Sequence, residues 1–346
     1  VWDPRDQSPS SFLTSVRSLG VPDLAARRLT SAILGHGIHD PADWGRSFQV
    51  PRRLSERVGV LPRLTLDASI TSPVDGFQKL RFRTLDGLAL ETVLIPLHKA
   101  GAVSVCLSSQ VGCAMGCVFC ATARMPTRRN LATWEIIDQW VQARDLARSQ
   151  GRRVTGAVFM GMGEPFLPSV KPRVIDAASL LSCSYGGQIG AGKITISTVG
   201  IVPQIDEYTL EEHKYRLSIS LGAATDEKRA RLVPVASRWT IAEVMAAASR
   251  HAQVRRDRVM LAYVCISGVN VGEDDARALG EVIGDTPVRL DLIDVTDPTG
   301  RFHPPTDGEM QAFRDALTRY LGQPVVRRYS GGKEIGAACG TLAGEV

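Results

Sequence analysis

No stretch of eighteen apolar residues occurs in the 346-residue chain, so a membrane-crossing helix of ordinary length is not expected. The opening Val1-Trp2-Asp3-Pro4 lacks the charged-then-apolar pattern of a secretory leader, and a cytoplasmic protein is expected. Cysteine is scarce: seven in 346 residues is far too few for a disulfide-stapled secreted domain. No second C-x-x-C pair and no nearby His completes a four-ligand zinc set. Charge is nearly balanced as well. A net charge of +5 permits a polyanionic partner without demanding one. What remains is ordinary globular composition, 44% hydrophobic and 22% charged, long enough for one large domain and a small one.

The few cysteines are concentrated. Four of the seven fall in Cys106-Leu-Ser-Ser-Gln-Val-Gly-Cys113-Ala-Met-Gly-Cys117-Val-Phe119-Cys120. Cys113, Cys117 and Cys120 have C-x3-C-x2-C spacing, and three thiolates on one tight loop can hold three irons of a [4Fe-4S] cube. The fourth iron is left for an exogenous ligand. It can bind the amino and carboxylate groups of S-adenosylmethionine and pass an electron to the sulfonium, releasing a 5'-deoxyadenosyl radical. The spacing, with aromatic Phe119 before the last cysteine, resembles the radical S-adenosylmethionine signature.

Periodicity divides the chain into four parts. Residues 1–62 read as short helices, with Phe12, Val16 and Leu19, then Leu24, Ala25, Leu29, Ile33 and Leu34, at helical spacing. Residues 63–99 read as a β-hairpin extension, with a turn at Leu85-Asp86-Gly87-Leu88 and basic Lys79, Arg81 and Arg83 on one face. That face and the helical part are the expected contacts for phosphate. From residue 100 to 330, apolar strands alternate with helices. Strands are expected at 103–107, 156–160, 193–197, 215–220, 259–266, 288–293 and 325–328, and helices at 134–147, 241–251, 274–282 and 308–321. This is an α/β pattern, and a partial (βα)6 barrel with sites at the carboxyl ends of its strands fits it best. Residues 331–346 form a tail.

Unusual motifs fall at those strand ends. Phe159-Met-Gly-Met-Gly163-Glu164-Pro165 places a carboxylate where it suits an amino acid's ammonium, with glycines that let backbone approach a ligand. Ser197 and Ser220 close two further strands, where hydroxyls suit a ribose or carboxylate, or a structural hydrogen bond. Cys183 and Cys265 read as packing residues.

Several runs together resemble the RlmN and Cfr RNA adenine methyltransferases, roughly from residue 12 to the end. They are Ser108-Ser-Gln-Val-Gly112, Cys120-Ala-Thr-Ala123, Arg129-Asn-Leu131, the Gly-Met-Gly-Glu-Pro run, Ser197-Thr-Val-Gly-Ile-Val-Pro203, Arg231-Leu-Val-Pro234, Gly268-Val-Asn270 and Ile335-Gly-Ala-Ala-Cys339-Gly-Thr-Leu-Ala-Gly344. The resemblance implies a [4Fe-4S] cluster on Cys113, Cys117 and Cys120 and two S-adenosylmethionine molecules per turnover. It implies methylation of an adenine C2 or C8 in RNA, a reductant such as flavodoxin or ferredoxin, and a monomer. Cys339 would carry the methyl group, Cys106 would release the product through a transient disulfide, and Glu91 would accept the ring proton. Gly163, Glu164, Ser197, Ser220, Leu221, Gly222 and Thr296 stand as candidate cofactor contacts. The chain departs from the family at Gly222 (usually His), Ala236 (usually Asn), Pro126-Thr127, the 97–102 stretch and Asp294-Val-Thr-Asp297, where the family has a cofactor-holding Asn. Two alternatives stay open: the same chemistry on a small aromatic molecule, and an idle RNA-binding relative. The five intact cysteines argue against the latter.

Overall fold

The computed structural model describes residues 2–126 and 128–343, apart from the side chains of residues 236 and 237. Thr127, Gly344 and the Ala236 side chain, all named above, therefore lie outside the described residues. Among the described residues no helix is long and apolar enough to cross a membrane.

The chain opens with α1 (Pro9–Ser18), α2 (Asp23–Thr30), α3 (Pro41–Phe48) and α4 (Arg52–Val58). α1 and α3 each start on a proline just after a capping side chain: Ser8 accepts from the Ser11 N–H and Asp40 from the Ala42 N–H. Their apolar sides, including Phe12, Val16, Leu29, Trp44 and Leu54, are continuous with the core of the rest of the molecule. A buried charge network fastens them there. The fully buried Arg5 donates to Asp3, to Asp138 Oδ1 at 3.0 Å and to the Pro62 carbonyl, while Asp138 Oδ2 accepts from the Leu64 N–H.

The strands and helices that follow are β1 (Thr65–Thr71), β2 (Gln78–Arg83), β3 (Ala89–Pro96), β4 (Ala102–Cys106), β5 (Gln110–Val111), β6 (Arg129–Asn130), α5 (Thr133–Ser149), β7 (Arg153–Phe159), α6 (Lys171–Ser182), β8 (Ile194–Thr198), α7 (Val202–Leu210), β9 (Arg216–Ser220), α8 (Asp226–Leu232), α9 (Ile241–Arg255), β10 (Val259–Cys265), α10 (Glu273–Ile283), β11 (Val288–Asp294), α11 (Asp307–Tyr320) and β12 (Val325–Arg328). Ten strands make one sheet in the order β1-β2-β3-β4-β7-β8-β9-β10-β11-β12, and β5 pairs only with β6. From β4 to β12 every neighbouring pair is parallel. The order is sequential, with a helix on each crossover, so the sheet curls one way into a partial (βα)6 barrel followed by a last strand. It does not close.

The expected strands and helices are all present: β7, β11, α5, α9 and α10 run longer than expected, β9 and β10 are a residue shorter, and the others keep the expected length. The central parallel strands are covered on both faces: β4 and β8 are buried at every position, although β8 alternates Ile194 and Ile196 with Thr195 and Ser197. Helices α9 and α11 begin with reciprocal capping boxes, Thr240 with Glu243 and Thr306 with Glu309.

The hairpin is larger than expected. β1, β2 and β3 form a three-stranded antiparallel meander whose last strand pairs with β4, so it extends the barrel sheet itself. Its basic face is also neutralised. Lys79 is buried 3.1 Å from Glu91 Oε1, and Arg81 and Arg83 both pair with Asp67, at 2.7 and 3.1 Å. Alternation along one strand shows which residues share a face, but the cancelling carboxylates come from the strands on either side.

Candidate active site

β4 ends at Cys106, and the chain then makes a long excursion to α5 that carries Cys113, Cys117 and Cys120. Gly112 and Gly116 sit at φ +67° and +70°, conformations that a side-chain-bearing residue rarely adopts, and they turn this loop back over the strand ends. The loop is tied on two sides. The Val118 N–H donates to the Leu232 carbonyl at 3.0 Å, and the Ala121 N–H donates to the Gly340 carbonyl of the tail at 2.7 Å. Thr122 adds a hydroxyl bond to the Leu342 carbonyl at 2.6 Å.

Beneath the loop, at the carboxyl ends of the strands, lies a cavity of 160 Å³. Cys117 and Cys120 line it, with Gly163, Glu164, Ser197, Ser220, Gly222, Thr296 and Cys339. These residues come from six separate segments, and only the barrel topology brings them together. Ser197 Oγ and Ser220 Oγ are 3.5 Å apart on adjacent strands. Leu221 is different: its side chain is buried in the core and is not part of the lining. Cys113 is buried beside the cavity without lining it.

The electrostatics are those of a site short of positive charge. Burial pushes the Cys113 thiol up to about 12 and raises Cys117 further, and Cys120 and Glu164 nearby add to both shifts. Burial likewise lifts Glu164 from 4.5 to about 7, against the hydrogen bonds it accepts from the Val199 and Phe166 N–H groups at 2.9 Å and from Thr198. A cation beside these groups would favour their ionised forms. Two polar atoms of lining residues, Asp294 Oδ1 and Thr296 Oγ1, are buried with no hydrogen-bond partner among the described residues. Buried polar atoms of this kind call for a ligand.

The glycines after β7 serve packing as well as access. A Cβ on Gly161 would sit 2.7 Å from Ser108 Oγ and 2.8 Å from the Leu107 carbonyl oxygen. Gly163, at φ +108°, would meet Ser109 Oγ at 2.7 Å and the Gln110 side chain at 2.8 Å. The loop carrying Glu164 thus lies directly on the segment that leads into the cysteine loop.

A second cavity of 120 Å³ adjoins the first, with Cys120, Cys339, Met160, Gly161 and Gly340 in both linings. Cys106 and Arg328 line only the second. Cys106 is buried and its thiol is pushed up to about 12, mainly by burial and then by Cys339, with Arg328 pulling the other way. Cys339 is exposed, and its N–H donates to Ser330 Oγ at 3.2 Å. Glu91 lines neither cavity. It is fully buried, accepts from the Ala343 N–H at 2.9 Å, and pairs with Lys79, so it grips the tail from below.

Residues 107–279 match the Radical SAM superfamily. A probable RNA methyltransferase from Myxococcus xanthus is 45% identical over 322 residues, covering 92% of this chain and 88% of its own. A probable dual-specificity RNA methyltransferase RlmN from Thermobifida fusca is 36% identical over 98% of this chain and 93% of its own. The chain belongs to the RlmN family of radical S-adenosylmethionine methyltransferases. Its fold matches the crystal structure of a radical SAM methyltransferase from Sphaerobacter thermophilus with a TM-score of 0.89, at 34% identity and 99% coverage of both chains. Membership in the superfamily implies a [4Fe-4S] cluster and S-adenosylmethionine.

The residues present fit both groups. Three thiols stand on one loop, and the cavity below offers orphaned oxygens to a polar ligand and a carboxyl that a cation would ionise. Among the described residues, no three His, Cys, Asp or Glu side chains converge as the ligands of a single ion do. Thiols that each take a different iron of a cube need not converge in that way.

Several residues that build the site escaped the sequence reading. Buried Arg229 donates to the Leu221, Val199 and Trp239 carbonyls, bracing the ends of β8 and β9. It sits in the charged run of α8, where nothing in the local sequence sets it apart from a solvated residue. Asn270 ties Gly222 to β10, donating to the Gly222 and Val264 carbonyls and accepting from the Ile266 N–H. Gln139 holds Ser108 through both its backbone groups and takes the Thr92 hydroxyl. Asn270 had a signal in the Gly268-Val-Asn270 run, and Gln139 had none. Asp294 was noted only as a departure. Its Oδ2 pairs with Arg327 at 2.9 Å while Oδ1 is left at the cavity.

Proposed function

We propose that the protein methylates an sp2 amidine carbon of adenine, C2 or C8, in RNA, carrying the methyl group on Cys339 and releasing the product with Cys106. One observation carries this reading. Cys106, at the end of β4, and Cys339, on the tail, share one small cavity with Cys120, although they lie at opposite ends of the barrel sequence. RNA as the substrate class rests on the names of the relatives.

When bound, the cluster on Cys113, Cys117 and Cys120 and the S-adenosylmethionine beside it supply the methyl group, the electron and a hydrogen-abstracting carbon radical. Glu164, Ser197, Ser220, Gly222 and Thr296 orient the cofactor, with Gly163 providing close backbone approach. Leu221 contributes through its backbone and its packing. Cys339 accepts the methyl group and presents it to the adenine edge, and one turnover consumes two S-adenosylmethionine molecules. Once the carrier carbon is joined to the ring, the ring proton is assigned to Glu91, and the unpaired electron left by the addition would return to the cluster. The Cys106 thiolate then bonds to the Cys339 sulfur as the carbon–sulfur bond breaks, and its electron pair leaves with the product carbon, which takes up a proton to complete the methyl group. The resulting disulfide must be reduced before the next cycle.

The test is intact-protein mass after turnover on RNA fragments, followed by peptide mapping of the tail. Cys106→Ala should form the carbon–carbon bond but fail to release, leaving RNA covalently attached at Cys339. Cys339→Ala should give neither adduct nor product. Normal turnover by Cys106→Ala with no adduct would overturn the carrier mechanism.

A further inference from the structure

At the other end of the barrel from the cysteine loop, the amino end of β7 borders a cavity of 430 Å³. Arg144, Arg148, Arg152 and Arg153 line it, and no Asp or Glu does. Its inner wall is Trp140 and Arg144 of α5, which are 2% and 6% exposed. The Arg144 guanidinium lies over the Trp140 ring, 5.0 Å from its centroid. Both residues carry a buried donor with no hydrogen-bond partner among the described residues, Arg144 Nη1 and Trp140 Nε1.

The carboxylate nearby does not account for this. Asp145 accepts from Arg144 Nε and Nη2, which leaves Nη1 unused. Arg148 gives one bond to the Gly35 carbonyl, Arg152 is directed at Gln78 and Gln150, and Arg153 is in no ion pair among the described residues. Burying a guanidinium is costly unless its donors are used, and two orphaned donors beside three further arginines need an acceptor of opposite charge. The loop at Gly186-Gly187 completes the wall with backbone alone.

We infer that this cavity is an anion site for a phosphoryl group, separate from the reaction centre. Guanidinium forks match phosphate oxygens in geometry and charge. The charge also continues beyond the cavity. A neighbouring hollow of 620 Å³ shares Arg153 and is rimmed by Lys99, Lys193 and Arg216, none of them in an ion pair among the described residues. A strip of this kind suits the successive phosphodiesters of an RNA backbone, while the enclosed inner wall suits a single phosphoryl group. The shared chemistry is the phosphate, and its source is what the experiment resolves.

The full-length, cluster-loaded protein is titrated at low salt with inorganic phosphate, with pyrophosphate, and with an RNA oligonucleotide. Arg148→Ala/Arg153→Ala removes two exposed cations at the mouth. Trp140→Phe removes the indole donor and keeps an aromatic face under Arg144. The double variant should lose about tenfold or more in affinity, in line with two lost phosphate contacts, and Trp140→Phe should lose several-fold. Weakened binding of phosphate and pyrophosphate identifies a small phosphoryl ligand. Weakened RNA binding alone, with a salt dependence shallower by about one to two counterions, identifies the RNA backbone. Unchanged affinity for all three probes in the double variant overturns the site. So does a loss in the double variant that Trp140→Phe does not share, because diffuse surface charge would then be responsible rather than the cavity.

Discussion

Glu164 holds the ends of β7 and β8 together while standing in the cofactor cavity, and its buried carboxyl makes the stability of the cluster-free protein depend on pH. Its pKa is raised from 4.5 to about 7 by desolvation. The folded state therefore binds the proton more tightly than the unfolded state. Stability from this group is fully present below about pH 4.5, falls as pH rises, and has been lost by about pH 7. A shift of this size corresponds to about 3 kcal/mol. The group is fully buried, so solvent screening does not reduce that figure appreciably. Glu164→Gln removes the titration. It also turns one of the two N–H bonds from Val199 and Phe166 against an amide donor, a cost of about 1–3 kcal/mol that does not change with pH. Urea unfolding of both cluster-free proteins from about pH 4.5 to pH 8 should show the variant gaining about 3 kcal/mol relative to wild type as pH rises. A stability difference that stays constant across that range would refute the assignment of a raised carboxyl at this position.

Other perturbations test the remaining supports. Replacing Cys113, Cys117 and Cys120 together with Ala should leave no cluster absorbance after anaerobic reconstitution and no cleavage of S-adenosylmethionine; retained cleavage would remove these residues from the cluster. Gly163→Ala places a Cβ within 2.8 Å of Ser109 and Gln110 at φ +108° and should sharply lower cofactor binding measured by equilibrium dialysis. Normal binding would show that the loop has room to move. Arg5→Ala strands Asp3 in the interior and leaves Asp138 only the longer ion pair with Arg63 at 3.6 Å, and denaturant unfolding should register a loss of about 3–5 kcal/mol. A loss below about 1 kcal/mol would mean that the network adds little.

The strands of the barrel were legible because the central ones are buried on both faces and bounded by polar turns, and the motifs were legible because they sit where those strands stop. Cys113, Cys117 and Cys120 announced themselves by spacing alone. Partnerships across the sheet were hidden. The Lys79, Arg81 and Arg83 face looked basic because Asp67 and Glu91 lie on other strands, and the burial of Glu91 depends on a tail some 250 residues away. Gly161 and Gly163 read as backbone lying close to a ligand, and they do line the cavity, but their missing side chains also make room for Ser108, Ser109 and Gln110. Arg229 and Arg144 carried no signal, because a buried arginine in an amphipathic helix has the same local sequence as an exposed one.

The tail that carries Cys339 is pinned close on either side of it. The Gly340 carbonyl holds the Ala121 N–H, the Leu342 carbonyl holds Thr122, the Ala343 N–H rests on Glu91, and the Gly332 N–H donates to Asp75. With its backbone fixed, Cys339 has its own side-chain torsion as the nearest freedom, and it borders both the cofactor cavity and the one that contains Cys106. In the carrier mechanism proposed above, passing a carbon from one to the other would be a rotation about a single bond, not an excursion of the chain. The two sulfurs would then meet as parts of one molecule at high effective concentration, with the tail acting as a crank on a fixed bearing.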